Sequence, residues 1–186
     1  MAILKIARMG HPILSGQAET VIDPGAPVIR RLVADMIDTM VDAPGLGLAA
    51  PQVYMPKRVI IFHVPQDRAA PGEGPQGLTI LINPVVEPLS DEMVLGWEGC
   101  LSVPGLRGLV PRYNRVRYMG FTPDGVCIER EATGMHARVV QHEFDHLDGV
   151  LYPQRMTDLS KLIFESEWRH QAPTNTAPVD PEMADA

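Results

Sequence analysis

The chain has 186 residues, of which 45% are hydrophobic, and it carries a formal net charge of −7 with a pI of about 5.3. This length suffices for one buried core, and the acidic balance excludes general nucleic-acid binding, which requires a basic face. The sequence shows neither a cleavable signal pattern nor an apolar run of membrane-spanning length,. We therefore expect a cytoplasmic protein without a membrane or nucleic-acid partner, although an organellar form lacking its transit peptide would look the same.

The first predicted element is a long amphipathic helix. Asp23 and Pro24 offer an N-cap and a first-turn proline,. Apolar residues then recur at helical spacing from Val28 to Met40,. The sequence therefore predicts a helix that ends near residues 43–45.

Strand-forming residues dominate the middle of the chain. They form four runs, at positions 58–64, 78–83, 115–121 and 126–131,. The first two runs are separated by residues 65–77, where prolines and glycines indicate a flexible insertion. The last two runs flank Thr-Pro-Asp-Gly at 122–125, whose turn chemistry predicts a hairpin.

Residues 141–149 carry a pair of histidines that suits a metal ion. His142 and His146 are four residues apart, so on a helix both imidazoles face the same side,. Glu143 lies about 100° further round the helix, within reach of a water on such an ion. Thr133 is a candidate cap for this helix, and Gly149 is a candidate end. The pattern is short, and ordinary core or surface histidines are the alternative.

The C-terminal part of the chain adds little to this pattern. A shorter helix is predicted over residues 158–170,. Residues 171–186 are rich in proline, alanine and acids and have little to bury, so we expect a disordered tail.

A catalytic metal ion needs a third protein ligand besides the two histidines, together with one open position. Cys100 is the candidate, in a stretch bounded by glycine and proline that indicates a loop or a strand end. The alternatives are a buried apolar cysteine and a disulfide with Cys127. Nothing marks the chain as secreted, and this favours a thiolate ligand.

Three separated segments resemble the motifs of the peptide deformylase family, in the order that the family has them. They are Gly-Leu-Gly-Leu-Ala-Ala-Pro-Gln at 45–52, Glu-Gly-Cys-Leu-Ser at 98–102 and His-Glu-Phe-Asp-His at 142–146,. The predicted fold is α+β, with mixed or antiparallel β-sheets packed around a central metal-binding helix, a long N-terminal helix and a C-terminal helix. One catalytic domain is expected over residues 1–170, followed by the tail at 171–186.

The resemblance implies a hydrolase that removes the formyl group from the N-terminal formylmethionine of newly made polypeptides and releases formate. It implies one divalent ion, Fe²⁺ in the natural enzyme with Zn²⁺ or Ni²⁺ as substitutes. The expected ligands are Cys100, His142 and His146. Glu143 is then the general base, and Gln52 and the backbone N–H of Leu101 are expected to donate to the oxyanion that forms on the formyl carbonyl.

The predicted substrate pocket lies along the metal helix. Met135 and Val139 precede the first histidine on the same ridge and would line a methionine pocket,. Leu46 and Gly47 in the first motif form the expected opposite wall, and Arg107 matches a family position that contacts the substrate backbone. Ordinary core residues and a solvated arginine are the alternative interpretations.

Other charged residues are expected to support the site. Glu98 and Arg112 are interpreted as an ion pair that holds the cysteine loop, and Asp145 as a support of the metal helix that does not bind the ion. The resemblance implies nascent polypeptides as partners, with transient docking on the ribosome through the C-terminal helix. The segment after Met156 has few basic residues and ends in an acidic tail, which disfavours that docking.

Two other functions compete with deformylation. A zinc metallopeptidase would share the histidines and the glutamate, but its third ligand is usually a downstream histidine or glutamate. A non-catalytic structural metal module would need a fourth protein ligand, for which Cys127 is the only soft candidate, and it would leave Glu143 without a purpose. An upstream Cys100 with its own oxyanion donor favours deformylation.

Overall fold

Two antiparallel sheets and two α-helices form the computed structural model, which describes residues 2–69, 74–170 and 178–179. Helix α1 spans Pro27–Asp42 and helix α2 spans Gly134–Leu147. The strands are Gly47–Ala49 (β1), Val59–Val64 (β2), Gln76–Pro88 (β3), Met93–Cys100 (β4), Val103–Tyr113 (β5), Arg115–Phe121 (β6), Cys127–Thr133 (β7), Ile163–Phe164 (β8) and Pro178–Val179 (β9). Short 3₁₀ helices lie at Pro12–Leu14, Ala50–Val53, Gln66–Arg68, Tyr152–Arg155, Leu159–Lys161 and Glu165–His170.

The first sheet has the strand order β1-β2-β3-β6-β7 and is covered by a helix on each face. Along β2, Val59 and Ile61 pack in the cluster of α1, whereas Ile60 and Phe62 pack in the cluster of α2. All four side chains are completely buried. A strand that is buried on both faces has no polar side, and this explains the continuous apolar run at this point of the sequence.

The second sheet has the order β8-β5-β4-β9 and positions the cysteine. Strands β4 and β5 form a long antiparallel hairpin, in which the register shifts between the pair Gly99–Arg107 and the pair Cys100–Val103. Cys100 therefore lies at the end of β4, directly before the turn at residues 101–102. Helix α2 packs against both sheets, and this confirms the predicted α+β fold around a central helix.

Several predicted elements agree with the structure. The hairpin with its turn at 122–125 is confirmed by the pairing of β6 with β7, from Arg115–Thr133 to Phe121–Cys127. The predicted strands at 58–64 and 78–83 correspond to β2 and β3, although β3 extends from residue 76 to residue 88. Thr133 is the N-cap residue of α2, and Gly149 follows the helix end with a φ of 74°.

Other details differ from the prediction. The predicted cap at Asp23 is wrong, because α1 begins with Pro27 at its first turn and Asp23 instead accepts a hydrogen bond from the N–H of Gly25 in the preceding turn. Strands β4 and β5 were not predicted, because their glycines and prolines are typical of loops. The predicted C-terminal helix is a 3₁₀ helix at Glu165–His170, preceded by a 3₁₀ turn and the short strand β8.

The predicted tail at 171–186 lies outside the described residues, apart from Pro178–Val179, whose backbone pairs with Met93 and Val94 of β4. Residues 70–73 of the predicted insertion also lie outside them. The described part of the chain contains no helix with the length and hydrophobicity needed to span a bilayer.

Candidate metal centre

Three potential metal ligands meet between β4 and α2. The donor atoms of Cys100, His142 and His146 all lie within 4.8 Å of one another. The Sγ of Cys100 is 3.3 Å from Nε2 of His146. Both histidines are buried, whereas Cys100 is partly exposed. The structure thus brings together the three residues that were predicted as ligands.

Local structure holds each of these donors in place. Cys100 ends β4, and the N–H of Ser102 in the following turn donates to its Sγ at 3.4 Å. His142 and His146 are on successive turns of α2, with their ring centroids 5.0 Å apart. The ligand set therefore depends on the contact between the hairpin β4–β5 and the helix.

The surroundings of the two histidines shift their pKa values in opposite directions. Burial lowers the pKa of His142, but its bonds to Cys100 and Glu98 outweigh burial and hold that pKa well above its ordinary value. Burial, together with the positive charges of His142 and Arg112, lowers the pKa of His146 well below its ordinary value, which favours the neutral imidazole, the form that offers a lone pair to a metal ion,. One thiolate and two imidazoles form a donor set that divalent transition metals accept, so these residues fit such an ion.

Glu98 is the centre of the charge network behind the ligands. Its carboxylate accepts hydrogen bonds from Nδ1 of His142 at 2.8 Å, Nε of Arg112 at 2.9 Å and Nη1 of Arg138 at 2.9 Å. Burial raises the pKa of Glu98, but Arg112 and His142 outweigh burial and hold it far below the usual range. The predicted Glu98–Arg112 ion pair is therefore confirmed, and Glu98 also orients the ring of His142.

Asp145 lies beside this network and is not among the clustered donors. It forms ion pairs with Arg112 at 2.5 Å and with Arg155 at 2.8 Å. These ion pairs agree with the prediction that Asp145 supports the metal helix.

Glu143 follows His142 on α2 and packs against the glycine motif. A Cβ atom on Gly47 would lie only 2.3 Å from Oε1 of Glu143, so a side chain at position 47 would displace the carboxylate. Within the described part of the chain, Oε2 of Glu143 has no hydrogen-bond partner. Burial raises the pKa of Glu143 to about 7, near the value that suits a general base at neutral pH.

This raised pKa predicts how the metal-free protein responds to pH. A carboxyl with a pKa of 4.5 when unfolded and about 7 when folded contributes stability below pH 4.5 that is lost as the pH rises through 7,. Glutamine at position 143 does not ionise, so Glu143→Gln does not lose this stability as the pH rises. Above pH 7 the metal-free variant should therefore be more stable than metal-free wild type, by up to about 3 kcal/mol. Urea unfolding of both chelator-treated proteins at pH 5 and pH 8 checks this. An equal difference at the two pH values would contradict it.

Gln52 is fixed beside Cys100 by hydrogen bonds at both ends of its amide. Its Oε1 accepts a bond from the N–H of Ala49 at 2.8 Å, and its Nε2 donates to Oγ of Ser102 at 3.1 Å. The same Nε2 is 3.6 Å from Sγ of Cys100. Leu101 follows the cysteine in the turn and lines the adjacent cavity. The Gln52 amide therefore lies beside the sulfur of Cys100, and the roles of Gln52 and Leu101 as oxyanion donors stay predictions.

A cavity of about 520 Å³ opens beside Cys100, His142 and Glu143. Its size is in the range of small-molecule binding sites. All the residues predicted to bind substrate line it, namely Leu46, Gly47, Arg107, Met135 and Val139.

Arg107 is held at the edge of this cavity by the C-terminal segment. It forms an ion pair with Glu165, and its Cζ lies 5.2 Å from the ring centroid of Trp168. Trp168 in turn contacts Trp97 of β4, with ring centroids 4.9 Å apart. The 3₁₀ helix at Glu165–His170 therefore fixes the position of a predicted substrate contact.

Three residues of the site were not predicted. Ser102 is completely buried and holds the Gln52 amide. Tyr152 is stacked on the His142 ring with centroids 6.3 Å apart. Arg138 binds Glu98, and its only signal in the sequence is its position one turn before His142 on the metal helix,.

Comparison with known proteins identifies the family. Residues 3–162 match the family model described as "Polypeptide deformylase". The chain is 55% identical over 157 residues to "Peptide deformylase 1" of Bordetella pertussis, covering 84% of this chain and 89% of that protein. It is 50% identical over 160 residues to "Peptide deformylase 1" of Nitrosomonas europaea, covering 86% and 91%.

Solved structures agree with this match. The Met-Ala-Ser-bound crystal structure of the class I type b peptide deformylase from Acinetobacter baumannii has a TM-score of 0.76 and 39% identity, and covers 83% of this chain and 99% of that one. The peptide deformylase of Ehrlichia chaffeensis has a TM-score of 0.78 and 35% identity, with coverage of 86% and 91%. The chain therefore belongs to the polypeptide deformylase family.

Proposed function

We propose that the chain hydrolyses the formyl amide of polypeptides that begin with N-formylmethionine and releases formate. The observation that carries this proposal is the convergence of Cys100, His142 and His146 at a cavity that Glu143 also lines. Family membership supports the same reaction, because the curated relatives are named peptide deformylases.

Cys100, His142 and His146 would hold one divalent ion. When bound, this ion supplies an acidified water and polarises the carbonyl oxygen of the substrate. We assign Fe²⁺ as the natural ion, with Zn²⁺ or Ni²⁺ as substitutes, because a thiolate with two imidazoles suits all three and the family resemblance implies iron. Metal analysis of protein prepared without oxygen would test this assignment.

Different groups would transfer the protons and stabilise the negative charge that develops on the substrate. Glu143 would accept a proton from the attacking water and later donate it to the leaving amine. Nε2 of Gln52 and the N–H of Leu101 would donate hydrogen bonds to the formyl oxygen as negative charge develops there. Each well-placed donor of this kind contributes about 3 kcal/mol in other acyl-transfer enzymes.

The cavity walls suit a methionine side chain followed by an extended backbone. Met135, Val139 and Leu46 provide apolar surface. Because Gly47 has no side chain, the protein backbone at this position can lie close to the carboxylate of Glu143. Arg107 would contact the substrate backbone from the edge of the cavity. The Acinetobacter baumannii enzyme was solved with Met-Ala-Ser bound, a tripeptide of the kind that deformylation would produce.

The competing functions are not favoured. A metallopeptidase would take its third ligand from downstream of His146, whereas the donor that meets the histidines is Cys100. A structural metal module would need a fourth protein ligand. Among the residues that the structure describes, the cluster contains three donors, and Cys127 is an exposed free cysteine on β7.

Nascent polypeptides bearing formylmethionine are the proposed partners, and the cytoplasm is the proposed location. The relatives named above come from bacteria, where the cytoplasm is the compartment in which such chains are made. Transient association with the ribosome is proposed only through encounter with these chains, because the segment after Met156 offers few basic residues.

Formate release tests the function directly. We expect formate from formyl-Met-Ala, and no cleavage of the unformylated peptide Met-Ala-Ser under the same conditions. Formate release that disappears with a chelator and returns with Fe²⁺ or Ni²⁺ would support the proposal. Cleavage of the unformylated peptide without formate release would instead identify a metallopeptidase.

A further inference from the structure

Arg138 is a buried arginine on α2, one turn before His142 and on the same side of the helix,. Its guanidinium donates to three backbone carbonyls of the hairpin β4–β5. These bonds are Nη2 to Val94 at 2.6 Å, Nη1 to Val110 at 2.8 Å and Nη1 to Gly96 at 3.3 Å. Arg138 therefore connects α2 to both strands of the hairpin that carries Cys100.

The same guanidinium also reaches the support of a metal ligand. Its Nη1 donates to Oε1 of Glu98 at 2.9 Å, while Oε2 of Glu98 accepts from Nδ1 of His142 at 2.8 Å. The two oxygens of one carboxylate thus join Arg138 to His142. Arg112 binds the same carboxylate, so Arg138 is the second of two guanidinium groups that fix its orientation.

Gly96 on β4 provides the space that this arginine occupies. A Cβ atom at position 96 would lie 2.5 Å from Cζ and 2.6 Å from Nη2 of Arg138. These atoms belong to a planar group that is bound to three carbonyls and a carboxylate, so the guanidinium cannot move aside without losing hydrogen bonds. Gly96 and Arg138 are therefore sterically coupled across the contact between hairpin and helix.

We propose that Arg138 is a positioning residue for the metal centre, which rests on the proposed metal-binding function of Cys100, His142 and His146. Arg138 sets the distance between the hairpin, which supplies the cysteine, and the helix, which supplies the histidines. Through Glu98 it also fixes the ring orientation of His142. Residues of this kind hydrogen-bond a metal-binding histidine, either directly or through another side chain. Their loss changes metal affinity by about 10–100-fold.

The first test measures metal affinity without any substrate. Arg138→Met keeps a long apolar stem but removes every donor, and it should weaken Zn²⁺ binding about 10-fold or more in a chelator competition. Arg138→Lys retains a charge and should recover part of the loss. The d–d absorption spectrum of the Co²⁺-loaded protein should change in Arg138→Met, because the His142 ring is no longer held in one orientation.

Arg155→Met is the matched control. Arg155 also pairs with a carboxylate of the network, but its partner is Asp145. This variant should keep Zn²⁺ affinity within about twofold of wild type, as expected for a residue outside the Glu98–His142 connection. Unchanged affinity and an unchanged Co²⁺ spectrum in Arg138→Met would overturn the proposal.

The second test is a double-mutant cycle on the glycine. Gly96→Ala should lower Tm by roughly 5 °C in the wild-type background, because the added methyl collides with the guanidinium. The same substitution in an Arg138→Ala background should cost much less. Gly77→Ala on β3 is the control, since a Cβ there meets nothing within 4 Å. Equal effects of Gly96→Ala in both backgrounds would refute the coupling.

These outcomes are separable from the proposed reaction. Metal affinity, the Co²⁺ spectrum and Tm are all measured without formylated peptide, so an absent deformylase activity would leave the role of Arg138 intact. Conversely, an Arg138→Met protein with normal deformylation and unaltered metal affinity would reject only the role of Arg138. If Arg138→Met does not fold, metal affinity and the Co²⁺ spectrum can be measured on Arg138→Lys and, from the other side of the contact, on Gly96→Ala.

Discussion

Replacing Glu143 with alanine should leave the metal bound and reduce kcat by about 100-fold to 10,000-fold, the usual contribution of a general acid–base group. Glu143 follows a ligand on α2 but is not among the three clustered donors. Its carboxylate lies in the cavity against Gly47, with a pKa that burial raises to about 7. The variant therefore loses the group that moves the proton, whereas the ligands stay in place.

Two measurements on the same protein preparation check this expectation. Metal content by elemental analysis should equal that of wild type, and formate release from formyl-Met-Ala should show the loss in kcat. Glu129→Ala removes an exposed carboxylate on β7 and serves as the control for loss of a negative charge. A Glu143→Ala protein with wild-type turnover would show that another group carries the proton.

Replacing Cys100 with serine should weaken metal binding and turnover together. Among the described residues, Cys100 is the cysteine that lies near the two histidines, and a serine hydroxyl is a much poorer ligand for a divalent transition metal than a cysteine sulfur,. Loss of a partner outside the ligand set already costs about 10–100-fold in affinity, so loss of a ligand should cost at least about 100-fold. Turnover should then fall in proportion to the metal that is lost.

Cys127→Ser is the matched control, because Cys127 is a free, exposed cysteine on β7 and lies outside the cluster. It should change neither the metal affinity nor the turnover. Chelator competition with Zn²⁺ gives the affinity, and formate release at saturating metal gives the turnover of the loaded protein. A Cys100→Ser protein that binds Zn²⁺ as tightly as wild type would rule out the thiolate as a ligand.

The sequence predicted those elements whose residue types match both their local backbone conformation and their burial in the folded protein. Strand β2 has apolar residues on both faces, since a helix covers each face of the sheet there,. This continuous apolar segment is enough to predict a strand from the sequence alone. The β6–β7 hairpin was predicted from Thr-Pro-Asp-Gly, because the turn residues there are sufficient to reverse the chain,.

Elements shaped by the site itself were harder to predict. Gly96 and Pro104 belong to strands β4 and β5, yet such residues are typical of loops,. The glycine serves the packing of Arg138, and that reason is visible only when α2 and the hairpin are in contact. Arg138 itself was missed because an arginine on a helix is usually solvated, and the sequence does not show which carbonyls will surround it.

The candidate ligands were identified because metal chemistry restricts residue type and spacing. His142 and His146 are four residues apart, and Cys100 belongs to a family motif, so only their convergence needed the structure. The connection from Glu98 to His142 was not foreseen, since the predicted ion pair with Arg112 already gave Glu98 a partner.

The three donors come from two pieces of the protein that are remote along the chain, with Cys100 on the hairpin and both imidazoles on α2. An ion shared between them would be a removable cross-link between the second sheet and the helix, in addition to its chemical role. Oxidation of the Cys100 sulfur by an external oxidant would then break this cross-link,. The same oxidation would remove both the catalytic ion and the link between the β4–β5 hairpin and α2.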